Sequence, residues 1–350
     1  MLEASYTGYP LHFTHPSGTS RGVLTEKPCW FIRLRREDGV TGTGEVSFIP
    51  GLSVEDPGEI GVRLDHICKS VTSGSMDPNQ TLPGLPGIQF ALECAMLDLD
   101  GGGEQLLYPS DFTEGMKGIQ INGLIWMGDP GHMRMQIRHK LDLGFRVLKM
   151  KVGALEMEKE LEVLSWIRSQ FGNDQLEIRL DANGAWTPED ALGKMERYAE
   201  YGIHSVEQPI ATGQWEAMGR ICREAPVPVA LDEELIGLDV DKDSAAMLGM
   251  ISPRYLILKP GLLGGFRNAE RWVELAEETG VGWWVTSALE SLVGLSAIAQ
   301  WTYQRKVTIP QGLGTGTIYR NNIPSPLQVE GDSLWYRKER RWNMEGLFQS

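Results

Sequence analysis

The chain has 350 residues, 41% of them hydrophobic and 23% charged, a composition typical of a folded protein with a sizeable core. At about 150 residues per domain, this length predicts two domains, or one barrel with an appended domain. The 33 basic and 47 acidic residues give a formal net charge of −14. Such an acidic balance argues against binding to nucleic acid or to an anionic membrane, because both require a basic surface.

Targeting signals and cysteine pairs are also missing from the sequence. It has no apolar run approaching the roughly 20 residues needed to cross a bilayer. Neither Lys nor Arg occurs before Arg21, so no secretory signal peptide is expected. The four cysteines are far apart and none forms a Cys-x-x-Cys pair, which argues against a disulfide framework and against a zinc site. These features predict a cytoplasmic protein and leave its oligomeric state open.

The first part of the chain, residues 1–112, is expected to form an α+β domain. Alternating apolar residues around a Glu-Asp-Gly turn predict a β-hairpin, and apolar residues at helical spacing predict two helices. The predicted strands are residues 29–35 and 40–46, and the predicted helices are residues 59–71 and 86–100. Two segments rich in Gly, Ser and Pro, residues 14–25 and 47–53, are expected to be loops.

From residue 119 onward, short apolar runs alternate with amphipathic stretches, a pattern typical of parallel β/α repeats. The predicted strands are residues 119–126, 146–151, 177–181, 203–207, 227–232, 255–259 and 281–286, with an eighth near 307–312. The number of strands favours a closed (β/α)₈ TIM-like barrel, rather than an open doubly wound sheet. This barrel would span residues 119–317. No Gly-x-Gly-x-x-Gly motif follows the first strand, which argues against a dinucleotide-binding sheet. The tail, residues 318–350, is expected to pack back on the N-terminal domain and complete it. We call residues 1–112 and 318–350 the cap.

Five of the predicted strands end on a charged residue. These residues are Lys151, Asp181, Glu207, Asp232 and Lys259, and successive members are 30, 26, 25 and 27 positions apart. Each step is one β/α repeat. Because all strands of such a barrel point the same way, the five side chains are expected to meet at its C-terminal rim, where barrel enzymes build their active sites.

The three carboxylates in this set, Asp181, Glu207 and Asp232, lie on successive strands. Three oxygen ligands without His or Cys suit Mg²⁺, with Mn²⁺ as an alternative. A single strand-end carboxylate is often only a helix cap or a partner for a surface lysine. Three of them in phase, flanked by lysines on the neighbouring strands, favour a metal site.

Lysines flank the carboxylates on both sides. Lys149 and Lys151 are two positions apart on one strand and therefore share a face. Adjacent ammonium groups disfavour each other's protonation, so we expect the pKa of one of them to fall and that lysine to act as a general base. Lys259 lies four strands further on, which is the opposite side of an eight-stranded barrel. A substrate at the metal would then have a lysine on each face.

These motifs resemble the enolase superfamily, in particular its muconate-lactonising subgroup. The resemblance spans essentially the whole chain and is carried by Lys149-Met-Lys151, Asp181-Ala-Asn183, Val206-Glu-Gln-Pro209, Leu231-Asp-Glu233 and Leu258-Lys-Pro260. It implies that the three carboxylates bind Mg²⁺ and that a proton is removed from the carbon next to a substrate carboxylate. It further implies that Lys151 removes this proton and returns it to a leaving hydroxyl, that Lys259 stabilises the enediolate, and that Lys149 tunes Lys151.

The same lysines leave a second reaction open. Residues 283–291 contain no His base, and residues 312–320 contain no Asp-x-Asp pair for a substrate amine, so a dehydratase is favoured. An isomerase that racemises N-acylated amino acids needs one base on each face, however, and Lys151 with Lys259 supplies both. A catalytically silent barrel that acts as a binding protein and a phosphosugar aldolase or isomerase are more remote alternatives.

Loops at the barrel mouth are the candidates for contacts with a small carboxylate substrate. Ser20 and Arg21 lie in the Gly/Ser-rich loop of the N-terminal domain, where a succinyl-type carboxylate could be bound. Further candidates follow the strand ends of the barrel: Asn183, Ser287, Gly312, Leu313 and Gly314. Backbone amides of the glycine-rich segment would suit an anionic group.

Overall fold

The computed structural model describes residues 2–19 and 22–348. Its N-terminal part contains seven helices and strands within that described range. These are β1 (Leu2–Gly8), β2 (Leu11–Thr19), β3 (Gly22–Lys27), β4 (Trp30–Arg36), β5 (Thr41–Val46), α1 (Ile60–Thr72) and α2 (Pro86–Asp100). Strands β1, β4 and β5 form an antiparallel sheet in that order, and β2 pairs with β3 as a separate hairpin. The segment 14–25 is therefore largely a hairpin rather than the expected loop.

Helix α2 packs directly on β5, and glycine makes this close approach possible. A Cβ atom at Gly44 would lie only 1.9 Å from the carbonyl oxygen of Ala91 in α2. The backbones of helix and strand could not approach this closely with any larger residue. The hydrophobic core of the cap forms here, with Ile32 and Leu34 of β4 and Leu64 of α1 fully buried.

The remainder of the chain alternates strands and helices. The elements are β6 (Ile119–Gln120), β7 (Gly123–Ile125), α3 (Pro130–Asp142), β8 (Val147–Lys151), α4 (Met157–Arg168), β9 (Glu177–Asp181), α5 (Pro188–Ala199), β10 (Ser205–Glu207), α6 (Trp215–Glu224), β11 (Val229–Leu231), α7 (Ser244–Ile251), β12 (Tyr255–Leu258), α8 (Pro260–Leu263), α9 (Phe266–Thr279), β13 (Gly282–Val285), α10 (Leu292–Gln304), β14 (Leu327–Glu330) and β15 (Ser333–Tyr336). Side-chain caps start several helices, as where Thr187 accepts a hydrogen bond from the backbone N–H of Asp190 at the start of α5.

Strands β7 to β13 form one parallel sheet of seven strands in sequence order. Two isolated bridges join its edges: Gln311 pairs with Ile121 beside β7, and Gly312 pairs with Thr286 beside β13. The expected eighth strand is thus reduced to these bridging residues, which close the ring. A Cβ at Gly312 would lie 2.2 Å from Thr286 Oγ1, so glycine permits the contact. These features confirm the predicted α/β fold, a TIM-like barrel with an α+β cap.

The C-terminal tail contacts both parts of the molecule. Strand β15 pairs with β14 and with β6, at the entry to the barrel. Tyr319 and Leu347 pack with Leu11, Phe13 and Phe31 of the N-terminal strands. The tail therefore helps to fix the N-terminal strands relative to the barrel.

Candidate active site

The five charged strand-end residues converge at the C-terminal rim of the barrel. Lys151 of β8 is in register with Asp181 of β9, which is in register with Glu207 of β10. Asp232 follows β11, and Lys259 follows β12. Asp181, Glu207 and Asp232 are almost completely buried. The strand ends thus bring together the residues that the sequence pattern singled out.

The three lysines contact the carboxylates directly. Lys149 Nζ lies 2.9 Å from Asp181 Oδ2 and 2.6 Å from Glu207 Oε2, so it bridges the two acids. Lys151 Nζ lies 2.9 Å from the same Asp181 oxygen. Across the site, Lys259 donates a hydrogen bond to Asp232. Because Lys149 and Lys151 reach one oxygen atom, they lie on one face of the strand, as their spacing predicts.

At Lys149 and Asp181, burial and the neighbouring charges shift the pKa in opposite directions. Burial lowers the pKa of Lys149, but the carboxylates of Asp181 and Glu207 outweigh it, and the net pKa lies above the ordinary lysine value. The expected fall in pKa therefore does not occur at Lys149, because carboxylates contact its ammonium group. Burial raises the pKa of Asp181, and Lys149 and Lys151 more than reverse this effect. The pKa of Glu207 is raised by burial and by the neighbouring Asp181 charge. At Glu207, burial and the neighbouring carboxylates therefore outweigh the Lys149 ammonium.

The donor set suits a hard divalent cation. All three candidate ligands are carboxylates, and Oδ1 of Asp232 is buried without a hydrogen-bond partner in the described part of the chain. Within residues 2–19 and 22–348, no three acidic, His or Cys side chains already stand in ligating positions. Lys149 lies between Asp181 and Glu207 and supplies positive charge there. The residues fit the chemistry of a metal site, and Lys149 would have to release part of its contact for a cation to enter.

A cavity of about 230 Å³ opens above these residues. Its lining residues come from both the barrel and the cap. The cap residues that line it are apolar: Leu24 of β3, and Ile49, Pro50 and Leu52 after β5. Lys149, Lys151 and Lys259 all line the same cavity. A bound molecule would thus meet charged groups from the barrel and an apolar wall from the cap.

Two of the predicted substrate contacts follow the ends of strands β9 and β13. Asn183 and Ser287 line the cavity. Asn183 Oδ1 accepts a hydrogen bond of 2.6 Å from Lys151 Nζ, and its Nδ2 donates to Glu233. Asn183 has a left-handed φ of 47°, a conformation that Asn tolerates better than most residues. Ser287 Oγ lies 2.7 Å from Thr315 Oγ1.

The glycine-rich segment contributes through only some of its residues. Gly312 and Gly314 line the cavity. The side chain of Leu313 does not line the cavity, because it is fully buried in the hydrophobic core of the barrel. Alternate residues of an extended segment face opposite sides, so Leu313 points away from the side that its neighbours present. Ser20 and Arg21 lie outside the described residues.

Several residues of the site did not emerge from the sequence analysis. Asn122 precedes β7, lines the cavity, and has a buried Oδ1 without a hydrogen-bond partner among the described residues. Leu124 and Trp126 continue the same face of the strand. The sequence shows that these three residues are spaced two positions apart, but this spacing indicates only that they share one face of a strand. Their contact with the cavity depends on the closed barrel.

A β/α barrel with five charged residues at the C-terminal ends of its strands has the arrangement of a barrel enzyme. The sequence model of the family described as "Enolase C-terminal domain-like" matches residues 132–331, more than half of the chain. The chain belongs to this family, within the enolase superfamily and its muconate-lactonising subgroup.

Individual relatives agree with this assignment. The chain is 47% identical to the o-succinylbenzoate synthase of Desulfotalea psychrophila, over 95% of this chain and 98% of that protein. It superposes on the crystal structure of MenC from the same organism with a TM-score of 0.84 and 44% identity, covering 95% of this chain and 99% of that one. Muconate cycloisomerase 1 of Pseudomonas putida is 26% identical over 77% of this chain and 74% of its own length.

Across residues 2–19 and 22–348, no helix combines the length and apolar character that crossing a bilayer requires.

Proposed function

We propose that the protein catalyses the reaction of an o-succinylbenzoate synthase, the elimination of water from 2-succinyl-6-hydroxy-2,4-cyclohexadiene-1-carboxylate in menaquinone biosynthesis. The observation that carries this proposal is the pair of lysines, Lys151 and Lys259, which line one cavity from opposite sides of three carboxylates. The 47% identity to a synthase over nearly the whole chain supports the choice of substrate.

In the proposed reaction, the neutral amine of Lys151 takes the proton from the ring carbon that bears the carboxylate. The electron pair of that C–H bond moves into the carboxylate as an enediolate and then forms the ring double bond as the C–O bond breaks. Lys151 returns the proton to the departing hydroxyl, which leaves as water from the same face. The ring becomes aromatic, so much of the driving force comes from the substrate.

The other residues would hold and polarise the substrate. The Lys259 ammonium would face the reacting carbon from the side opposite Lys151 and would stabilise negative charge on the enediolate. Lys149 contacts Asp181 and Glu207 and would set the charge around Lys151. Asn183 accepts a hydrogen bond from Lys151, which would orient its amine toward the substrate. The apolar cap residues would exclude water from the ring.

Asp181, Glu207 and Asp232 would hold a divalent metal ion, Mg²⁺ or alternatively Mn²⁺. Members of this family use such a metal. When bound, it supplies positive charge that lowers the energy of the enediolate.

The proposal also covers the domain division of the chain, its substrate contacts and the cellular location of the protein. Residues 1–112 and 318–350 would form the cap and residues 119–317 the catalytic barrel. Ser20 and Arg21 would contact the distal carboxylate of the substrate, with Ser287, Gly312 and Gly314 on the barrel side. The enzyme would act on a small carboxylate in the cytoplasm, with no nucleic-acid or membrane partner.

A paired assay tests the proposed substrate. Purified protein is assayed with Mg²⁺ and with EDTA, once for dehydration of the cyclohexadiene acid by absorbance and once for α-proton exchange of N-succinyl amino acids in D₂O. We expect fast dehydration that EDTA abolishes, with little exchange. Fast exchange with slow dehydration would instead identify an N-succinylamino-acid racemase that uses the same two lysines.

A further inference from the structure

A second group of buried charges lies between the cap and the barrel and includes none of the five charged strand-end residues. It comprises Lys27, Glu45 and Ser47 from the cap and Glu290 and Ser291 from the barrel, and we call it the interdomain cluster. The exposed fraction of these residues is 1% for Lys27 and 0% for the other four. Burying one ammonium and two carboxylates is costly unless each group is compensated, so this arrangement needs an explanation beyond chance.

Glu45 reaches from the end of β5 to the first turn of α10. Its oxygens accept hydrogen bonds from the backbone N–H of Ser291 at 2.8 Å, from Ser291 Oγ at 2.5 Å and from the backbone N–H of Gly294 at 2.9 Å. The first turn of a helix has unpaired N–H groups and a partial positive charge, which favour a carboxylate. A cap residue therefore completes the N-terminus of a barrel helix.

Glu290 makes the reverse connection. Ser47 Oγ of the cap donates a hydrogen bond of 2.6 Å to Glu290 Oε1, and the backbone N–H of Ala288 donates one of 2.7 Å to Glu290 Oε2. Each side thus provides a carboxylate that binds a serine of the other. Burial raises the pKa of Glu290, and the nearby Lys27 ammonium opposes the rise.

Lys27 is the third connection and the least directional. Its Nζ lies 3.9 Å from Glu45 Oε1, and no group in the described part of the chain accepts a hydrogen bond from it. Lys27 ends β3, so its charge holds the β2–β3 hairpin against two carboxylates. This attraction is strong in a buried setting and can hold the hairpin without a fixed hydrogen-bond geometry.

Each segment that enters the cluster also supplies a wall of the active-site cavity. Leu24 lies three residues before Lys27, and Ile49 lies two residues after Ser47. Ser287 and Leu289 lie just before Glu290 and line the cavity as well. Leu289 has a left-handed φ of 56°, which is rare for such a residue and persists only where neighbouring contacts enforce it. The hydrogen bonds of Glu290 and Ser291 surround it.

We propose that Lys27, Glu45 and Ser47 are positioning residues for substrate enclosure, because they lock the hairpin, the loop after β5 and the loop after β13 into one cavity wall. They do not touch the reacting atoms. Loss of a contact in the interdomain cluster then weakens substrate binding more than it slows the chemical step. This inference rests on the proposed function for its kinetic readout, and its structural readout is independent of the substrate.

The test compares Lys27→Met and Ser47→Ala with the wild type, and uses Lys69→Met as a control, since Lys69 is an exposed residue of α1. Methionine keeps most of the length of the lysine side chain and removes its charge. We expect Lys27→Met to raise KM for dehydration roughly tenfold with kcat within about twofold, and Ser47→Ala to raise KM roughly threefold. Lys69→Met should leave both unchanged.

Hydrogen–deuterium exchange of the same proteins supplies the independent readout. Lys27→Met and Ser47→Ala should exchange faster than the wild type in residues 22–27, 47–53 and 286–291, and Lys69→Met should not. Folded variants with wild-type KM and wild-type exchange overturn the inference. If Lys27→Met fails to fold, Ser47→Ala decides by the same criteria. If the wild type lacks dehydration activity, the proposed function fails, and the exchange data alone decide the role of the cluster.

Discussion

The barrel and the cap contribute to one cavity in different ways. In the barrel the same arrangement recurs: a strand ends with a charged side chain at the C-terminal rim, as for Lys151, Asp181 and Glu207. The cap has no such repeat and contributes apolar residues from a hairpin and a loop, including Leu24 and Leu52. In the proposed mechanism the chemistry is therefore concentrated at the strand ends of the barrel, and the enclosure of the substrate depends on how separate segments are held together. Changes in the barrel should act on kcat or metal binding, and changes in the cap should act on KM or stability.

The largest effect is expected at the proposed base. Lys151→Met removes the amine and should lower kcat for dehydration about 1,000-fold or more, since a positioned general base contributes up to about 10⁴-fold. Steady-state kinetics measures the change. Lys159→Met on the exposed side of α4 is the matched control and should behave as the wild type. Wild-type kcat in Lys151→Met would remove the barrel lysine from the mechanism.

The next largest effect is expected on stabilisation by the metal, which should depend on carboxylates of the barrel. Mg²⁺ at 100 times its Kd should raise the free energy of unfolding by about 2.7 kcal/mol, because it binds only the folded protein. Asp232→Asn removes a carboxylate whose Oδ1 lacks a partner within the described chain, and it should abolish most of this stabilisation. Thermal unfolding with and without Mg²⁺ measures it, with the exposed Asp174→Asn as control. An equal shift in both variants would place the metal elsewhere.

A smaller effect is expected from the apolar wall of the cap. Leu24→Ala should raise KM roughly tenfold, with a smaller change in kcat, because side-chain contact with the substrate is lost. Val23 is the neighbouring residue on the same hairpin and is 66% exposed, so Val23→Ala is a close control that should leave KM unchanged. If Leu24→Ala instead lowers kcat and keeps KM, the cap takes part in the chemical step and the contrast between the two regions is false.

The cap should also contribute a pH dependence to stability without affecting catalysis. Burial raises the pKa of Asp98 to about 6, although the backbone N–H groups of Thr43 and Gln105 donate hydrogen bonds to its carboxylate. The folded state thus binds the proton more tightly than the unfolded state. This contribution, at most about 3 kcal/mol, is present below the unfolded pKa and is lost as pH rises toward 6 and above.

Urea denaturation between pH 4 and pH 7 measures this contribution. The wild type should lose more stability over that interval than Asp98→Asn, which cannot titrate at this position. Equal losses in the two proteins would show that Asp98 does not carry a raised pKa.

The barrel was largely predictable because its signals are local. The run Glu177–Asp181 forms a strand with the predicted bounds, and its last residue enters the site. The charged strand ends are 25 to 30 residues apart, which is the length of one β/α repeat. Because each of these strand ends carries a charged residue, the candidate site could be located from the sequence. The eighth strand was less predictable, since Gln311 and Gly312 contribute only isolated bridges.

The cap was less predictable because its structure depends on distant contacts. Gly and Ser in residues 14–25 indicate a loop by composition, yet the chain pairs there as β2 and β3. Leu313 was assigned to the site from its glycine neighbours, but the alternation of an extended segment turns its side chain into the core. Glu45 and Ser291 are 246 residues apart, and nothing in their local sequence indicates that they pair.

Chemical rescue at position 151 tests the central claim that a barrel amine moves the proton. Lys151→Cys is assayed before and after treatment with 2-bromoethylamine, which restores a lysine-like amine on the cysteine sulfur. Burial raises the pKa of Cys68 to about 11 and of Cys222 to about 12, and raises those of Cys29 and Cys94 as well, so the native thiols should react slowly. We predict that the cysteine variant is inactive and that alkylation restores dehydration to within about tenfold of the wild type. A variant that stays inactive after complete alkylation at position 151, while Lys259→Cys is rescued by the same treatment, would contradict the account.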